Sequence, residues 1–324
     1  MYKRIVTHYD FDGIASAAIC SLALGLKHYF FTGPRTIIEA KVSITSNDVV
    51  CDLPYPLECG IWFDHHEGNL EDLRLRGLDV RQIPGRFDLK ASCSRVVYNY
   101  FLEDRELPSH FESLVSEADK IDGFTYKNID EWRKETPGKI IDGTLRIQQR
   151  TAKVSRQYMA HLVNLLRDCR IEKVAARPEV REYYEQYLID EKRMLEQIKK
   201  DASFLSQDIN QELVVLDQTQ HNKRMHLLKH LAYLLYPNAL AVIGIQNVYQ
   251  SDIKTNNLCF SMSLSLKMSG TRHEKNVGEI MRTLNIGDGH PGAAAGVINC
   301  NKKSDMLKTK KEILDKIYDL WRNQ

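Results

Sequence analysis

The chain opens on YKRIVT, an apolar run of strand length, and passes into GIASAAICSLALGL, whose small and apolar residues keep helical spacing until Gly25. NDVVCDL and CGIWFDHH follow, each a short apolar run that stops at an acid or a histidine, before ASCSRVVYNYFLE returns to helical spacing. Strand, helix, strand, strand, helix within the first third of the chain predicts an α/β fold with a doubly wound, mostly parallel sheet and helices on both faces.

Between Arg177 and Leu205, RPEVREYYEQYLIDEKRMLEQIKKDASFL combines an early proline, dense charge and apolar residues at helical intervals, which predicts a long, partly exposed connecting helix. Beyond it QELVVLDQT, ALAVIGIQNVY and LCFSMSLSLKM read as strands, with a helix expected around HLLKHLAYLLYP and an amphipathic helix, KTKKEILDKIYDLW, near the end. The expected organisation is a first domain over 1–178, a connector over 179–209 and a smaller α/β domain over 210–324, with the active-site cleft between the domains. Internal repeats and low-complexity tracts are not visible.

Composition narrows the classes. With 324 residues, 43% of them hydrophobic, the chain can bury a core in each of two domains. A formal charge of +2 from 45 basic and 43 acidic residues gives no strong field to attract a duplex or an anionic membrane, and leaves room only for a local basic groove. No apolar run approaches the roughly 18 residues of a membrane span, so a soluble protein is expected; its oligomeric state is left open, a homodimer among the possibilities. Seven cysteines without a CxxC pair point to buried thiols in a reducing cytoplasm.

The chemistry sits where the predicted strands stop. In THYDFDGIAS, His8, Asp10 and Asp12 occupy alternate positions, which an extended chain directs to one side, about 6.5 to 7 Å between successive members. Gly13 then permits a sharp turn into a helix. Asp12 alone would read as a helix cap, and His8 as a polar group at a strand end. But Asp52 ends the run VVC, and Asp64, His65 and His66 end GIWF, and the carboxyl ends of parallel strands share one edge. LVSEADKIDGF adds Asp119 and Asp122 after a helix-like segment; either alone reads as a surface carboxylate. Four or more carboxylates with two imidazoles can hold two divalent cations about 3.5 to 4 Å apart. Mixed carboxylate and imidazole donors favour manganese, with magnesium second and zinc disfavoured for want of a thiolate.

HYDFDG, the isolated Asp52 and DHH at 64–66, in that order and spacing, resemble the DHH family of phosphoesterases, which includes RecJ-type exonucleases, nano-RNases, cyclic dinucleotide phosphodiesterases and exopolyphosphatases. The resemblance implies a hydrolase in which Asp10, Asp12, Asp52, His65 and a fourth-motif aspartate hold two cations. Asp119 is placed in that fourth position, with Asp122 as the fallback. His8 is either a ligand or a neighbour of the ions, because the family varies there. Asp64 and His66 take the catalytic roles, Asp64 orienting a histidine and His66 meeting the scissile phosphate or the leaving oxygen.

A second, separate match is GDGHPGAAAG, which resembles the glycine-rich GGGH motif of the domain attached to DHH proteins and implies that Gly289 and His290 meet a substrate phosphate, with Asp288 in place of a glycine. The same stretch satisfies GxGxxG, but a helical segment precedes it where a dinucleotide fingerprint needs a strand. Lys267 and Arg272, in SLSLKMSGTRHEKN, are the further candidates for gripping phosphate, or else charges on a solvated loop. The substrate expected is a short oligonucleotide or a dinucleotide, since a long-strand nuclease would carry a more basic track. Inorganic polyphosphate is the alternative substrate, and a non-catalytic nucleic-acid-binding scaffold the alternative class.

Overall fold

The structure is a computed structural model and describes all residues except Met1, 148–150 and 269–273. It divides into two units. One takes in the chain up to Thr125 together with Arg133–Asp190, the other Tyr126–Trp132 together with Glu191–Gln324. The long helix of Pro178–Asp201 contributes residues to both.

The first unit is built on five parallel strands: β1 (Arg4–His8), β2 (Tyr29–Thr32), β3 (Asp48–Cys51), β4 (Ile61–Asp64) and β5 (Gly85–Phe87), in the order β2-β1-β3-β4-β5. β1 is therefore interior, and Ile5 and Val6 have no exposed surface. Helix α1 (Phe11–Leu24) follows β1 directly. Every residue from Phe11 to Ser21 is buried, and its alanines let neighbouring elements come close. It starts at Asp10, whose carboxylate accepts from the Gly13 N–H, and stops at Gly25, in the left-handed region at φ 69°. Gly13 is required by contact rather than by conformation: a Cβ there would lie 2.3 Å from the carbonyl oxygen of His8. Two further helices matter to the site, α2 (Cys93–Leu102), capped by Ser92, and α3 (His110–Asp122).

The second unit carries a six-stranded mixed sheet in the order β10-β11-β9-β8-β7-β6, comprising β6 (Ala202–Ser203), β7 (Leu213–Asp217), β8 (Ala241–Gln250), β9 (Ile253–Leu264), β10 (Gly287–Gly289) and β11 (Ala293–Ile298). One sheet face packs Ile243, Ile245, Phe260 and Met262 against Val277, Ile280, Ile317 and Trp321 of two helices, Val277–Thr283 and Lys303–Asn323. The opposite face shows Gly244 opposite Ser261 and Gln246 opposite Cys259, as strand alternation requires. The helix expected around HLLKHLAYLLYP is a single 3-10 turn at Lys229–Leu231 and four helical residues, Ala232–Leu235. GDGHPGAAAG is a hairpin of β10 and β11. No described helix is long and apolar enough to cross a membrane.

Candidate metal centre

Because β1, β3 and β4 run parallel, their carboxyl ends deliver His8, Asp52 and Asp64 to one edge of the sheet. Asp10 and Asp12 arrive at the start of α1, and His65 and His66 in the two residues after β4. Asp52 lies just past β3 at φ 57°, a left-handed conformation unusual for a residue with a side chain.

The distances define one cluster. His8 Nδ1 is 2.6 Å from Asp10 Oδ2 and 3.5 Å from Asp52 Oδ2. His65 Nε2 is 3.3 Å from Asp122 Oδ2, 3.7 Å from Asp52 Oδ1 and 3.9 Å from Asp12 Oδ2. His66 Nδ1 is 2.9 Å from Asp64 Oδ1 and 3.8 Å from Asp52 Oδ1. Among the described residues three sets of donor atoms fall within 4.8 Å of one another: His8, Asp10 and Asp52; Asp52, His65 and His66; Asp12, His65 and Asp122. Asp52 and His65 each belong to two of them.

Side chains behind the cluster fix its members. Asp12 is 2% exposed, and its two oxygens accept from the backbone N–H groups of Cys93 (2.6 Å) and Ser94 (2.8 Å) at the start of α2. His65 Nδ1 lies 3.0 Å from the Lys90 carbonyl, which directs Nε2 at the carboxylates. Asp64 has no exposed surface; it holds His66 and accepts from Asn69 Nδ2 at 2.5 Å.

Asp119, the expected fourth ligand, is engaged elsewhere. Its Oδ1 accepts from Ser92 Oγ at 2.7 Å, and its Oδ2 from Arg95 Nε and Nη2 at 2.9 and 2.7 Å. Asp122, three residues on along α3, is the carboxylate that reaches His65. Asp119 ties α3 to the start of α2, whose amides grip Asp12. Sequence reasoning overlooked Ser92 and Arg95; their signal was a serine opening the helix ASCSR, a cap with an arginine one turn on.

The cluster's electrostatics follow from five carboxylates crowded together, three of them, Asp12, Asp52 and Asp64, buried. Burial disfavours a charged His8, yet Asp10 and Asp52 outweigh it and raise the imidazole to about 11. Burial likewise opposes charging His65, but Asp52, Asp12 and Asp122 raise it to about 10. Burial and the Asp52 charge push Asp122 up to about 7, and burial, Asp52 and Asp122 push Asp12 well above its usual range. Asp10 resists burial and stays below its usual value because His8 and the Gly13 N–H hold its charge.

Whether these residues suit divalent cations is tested by the buried atoms without partners. Both oxygens of Asp52 and Nε2 of His65 are buried and hydrogen-bond to nothing among the described residues. Orphaned carboxylate oxygens are costly in protein interiors, and oxygen and imidazole donors around them are a ligand set for manganese or magnesium. The residues fit the ions.

In the second unit Gly289 ends β10 and His290 begins the turn to β11, where the Gly278 N–H donates to the His290 carbonyl at 3.2 Å. The Leu264 N–H donates to the Gly292 carbonyl, which brings the end of β9 beside that turn. Lys267 Nζ donates to Asn238 Oδ1 at 2.9 Å. Asp288 accepts from its neighbour's N–H and from Arg282 Nη1, which offsets the charge that replaces a glycine. Arg272 lies outside the described residues.

No family model matches the chain, and no curated protein does. Solved structures do match. The pGpG-specific phosphodiesterase PggH of Vibrio cholerae superposes with a TM-score of 0.68 at 23% identity, over 98% of this chain and 99% of that one. The DHH domain of a member of a ribosomal-protein family gives 0.62 at 11% identity, over 98% and 86%. RecJ of Thermus thermophilus in complex with Mn2+ gives 0.54 at 13% identity, over all of this chain and 52% of that one. These likenesses establish the architecture: the chain has the fold of the pGpG-specific phosphodiesterase, the DHH domain and RecJ.

Proposed function

We propose that the chain is a metal-dependent phosphoesterase that cleaves phosphodiester bonds of dinucleotides or short oligonucleotides with water. The observation that carries the reading is Asp52: a buried carboxylate with neither oxygen bonded, flanked by His8 and Asp10 on one side and His65 and His66 on the other. Asp10, Asp12, Asp52, His65 and Asp122 would hold two divalent cations, with His8 beside them. Such ions, when bound, lower the pKa of water and neutralise charge developing on phosphoryl oxygens.

The chain's own groups supply the rest. Asp64 sets the orientation of His66 through the 2.9 Å contact at Nδ1, and as an imidazolium His66 can give its Nε2 proton to a leaving oxygen. The carboxylate nearby raises its pKa against the effect of burial, so the proton is held until that point. Gly289 and His290, with Lys267 and Arg272, would meet substrate phosphate. Manganese is the ion named with the Thermus RecJ, and pGpG the substrate named with the Vibrio protein, so both support this choice of conditions. Seven free thiols suit a reducing cytoplasm.

The test is hydrolysis by the purified chain with Mn2+ or Mg2+ of pGpG, other linear dinucleotides, oligonucleotides of a few residues, cyclic dinucleotides and inorganic polyphosphate. Release of mononucleotides, abolished by EDTA, is the expected result. Turnover of polyphosphate alone would move the reading to a phosphoanhydride hydrolase, and absence of both turnover and metal binding would overturn it.

A further inference from the structure

Residues 218–251 of the second unit contain no aspartate or glutamate, and within them HNKRMHLLKH, residues 221–230, carries three cations and three histidines. Lys223 and Arg224 are exposed and form no hydrogen bond or ion pair among the described residues. Lys229 is the unusual member. It is half-buried over the outer face of the sheet, with Cδ 3.9 Å from where a Cβ on Gly244 would stand, and no carboxylate pairs with it among the described residues. A shielded ammonium without a counter-charge costs free energy. Burial accordingly lowers Lys229 to about 8, against a smaller opposing pull from Cys259.

The segment is held at its ends by contacts that spare these cations. Lys254 Nζ donates to the carbonyls of Thr219 (2.7 Å) and His221 (2.9 Å), and His221 Nε2 lies 2.8 Å from Asp201 Oδ2. At the far end His230 meets Trp132 edge-on, and Tyr233 donates its hydroxyl to the Ser263 carbonyl. A backbone fastened at both ends, displaying unpaired cations, is organised to receive negative charge.

We propose that residues 221–230 are a binding segment for the sugar-phosphate backbone of a single-stranded nucleic acid, with Lys229 as its inner phosphate contact and Lys223 and Arg224 as its outer ones. The choice of a nucleic-acid strand over other polyanions rests on the phosphodiesterase reading; the unpaired positive charge does not.

The experiment measures binding of a fluorescent single-stranded oligonucleotide by anisotropy, in EDTA so that no hydrolysis occurs, across a series of KCl concentrations. Wild type is compared with K223A/R224A and with K229M, which keeps the length and apolar stem of the lysine; thermal melts check that each folds. The double variant is expected to bind about tenfold more weakly and to lower the slope of log affinity against log salt by about 1.4, roughly 0.7 for each phosphate no longer neutralised. K229M is expected to lose affinity at least as much, because its charge is the least solvated. Unchanged affinity and slope in both folded variants would overturn the proposal. Inorganic polyphosphate competing as well as unlabelled strand, per phosphate, would overturn the nucleic-acid assignment. Binding is read without divalent ions, so a failure of hydrolysis leaves this result standing.

Discussion

The cluster on the first sheet and the segment over the second are opposites in charge and alike in logic. At the first, carboxylates outnumber the imidazoles facing them, and Asp52 keeps two buried oxygens unbonded. At the second, cations stand on a stretch of chain with no acid at all. Other charges show the ordinary matching: Arg4 pairs with Asp48 through two bonds of 2.8 Å, and Arg95 with Asp119. Unmatched charge of a given sign at a built site points to a ligand of the other sign, a cation in one unit and a phosphate in the other.

The sharpest way to break that comparison is to neutralise Asp52. Asp52→Asn keeps the side-chain shape and tolerates the left-handed backbone, since asparagine enters that region more readily than most residues. Hydrolysis in Mn2+ should fall by about 10³-fold or more, as removal of a central electrostatic group does. In EDTA the same variant should melt near the wild-type temperature, because relief of crowding among five carboxylates offsets the lost attraction of Asp52 for His8 and His65. Lost activity with a lower melting temperature would make Asp52 a structural residue instead.

A smaller effect separates Asp119 from Asp122. Asp122→Asn should remove one class of Mn2+ site in a calorimetric titration. Asp119→Asn should keep the stoichiometry and weaken affinity by about 10- to 100-fold, the usual cost of loosening a partner behind a ligand. If Asp119→Asn instead removes a site, Asp119 is a ligand and its contacts with Arg95 and Ser92 give way when the ions bind.

That pair also shows where the sequence stops being informative. His8, Asp10 and Asp12 were legible because a strand alternates and a helix cap has a recognisable start, and Asp64, His65 and His66 because they end an apolar run. Asp119 and Asp122 lie three residues apart on α3, about 60° apart around its axis by helical geometry. Which of them meets the cluster depends on the rotation of that helix, set by Arg95 and Ser92 from another element. β2, only four residues long, escaped notice between helix and loop. The stretch around Lys229 has helical apolar spacing, yet Leu231, Ala232 and Tyr233 are buried as it crosses the sheet, and packing cut the helix to one short piece. In the β10–β11 hairpin the glycines serve close approach: a Cβ at Gly289 would meet the Ala293 carbonyl oxygen at 2.4 Å, and one at Gly287 the Ala295 carbonyl oxygen at 2.0 Å.

The mildest test uses a charge that is already matched. Asp217, at the end of β7, accepts from Lys310 Nζ at 2.5 Å and from the N–H and hydroxyl of Thr219. Burial raises its pKa, but these donors outweigh burial and hold it below the usual 3.8. A carboxyl with a depressed folded-state pKa adds stability above its unfolded value and loses it as pH falls through the folded one. Melting temperature should therefore drop between about pH 5 and pH 2 in wild type, and less steeply in Asp217→Asn. At pH 7 the variant should lose no more than about 1 kcal/mol, because the pair is partly open to solvent. Unlike Asp52→Asn it should leave Mn2+ affinity unchanged, since removing a matched charge costs stability, whereas removing an unmatched one costs ligand.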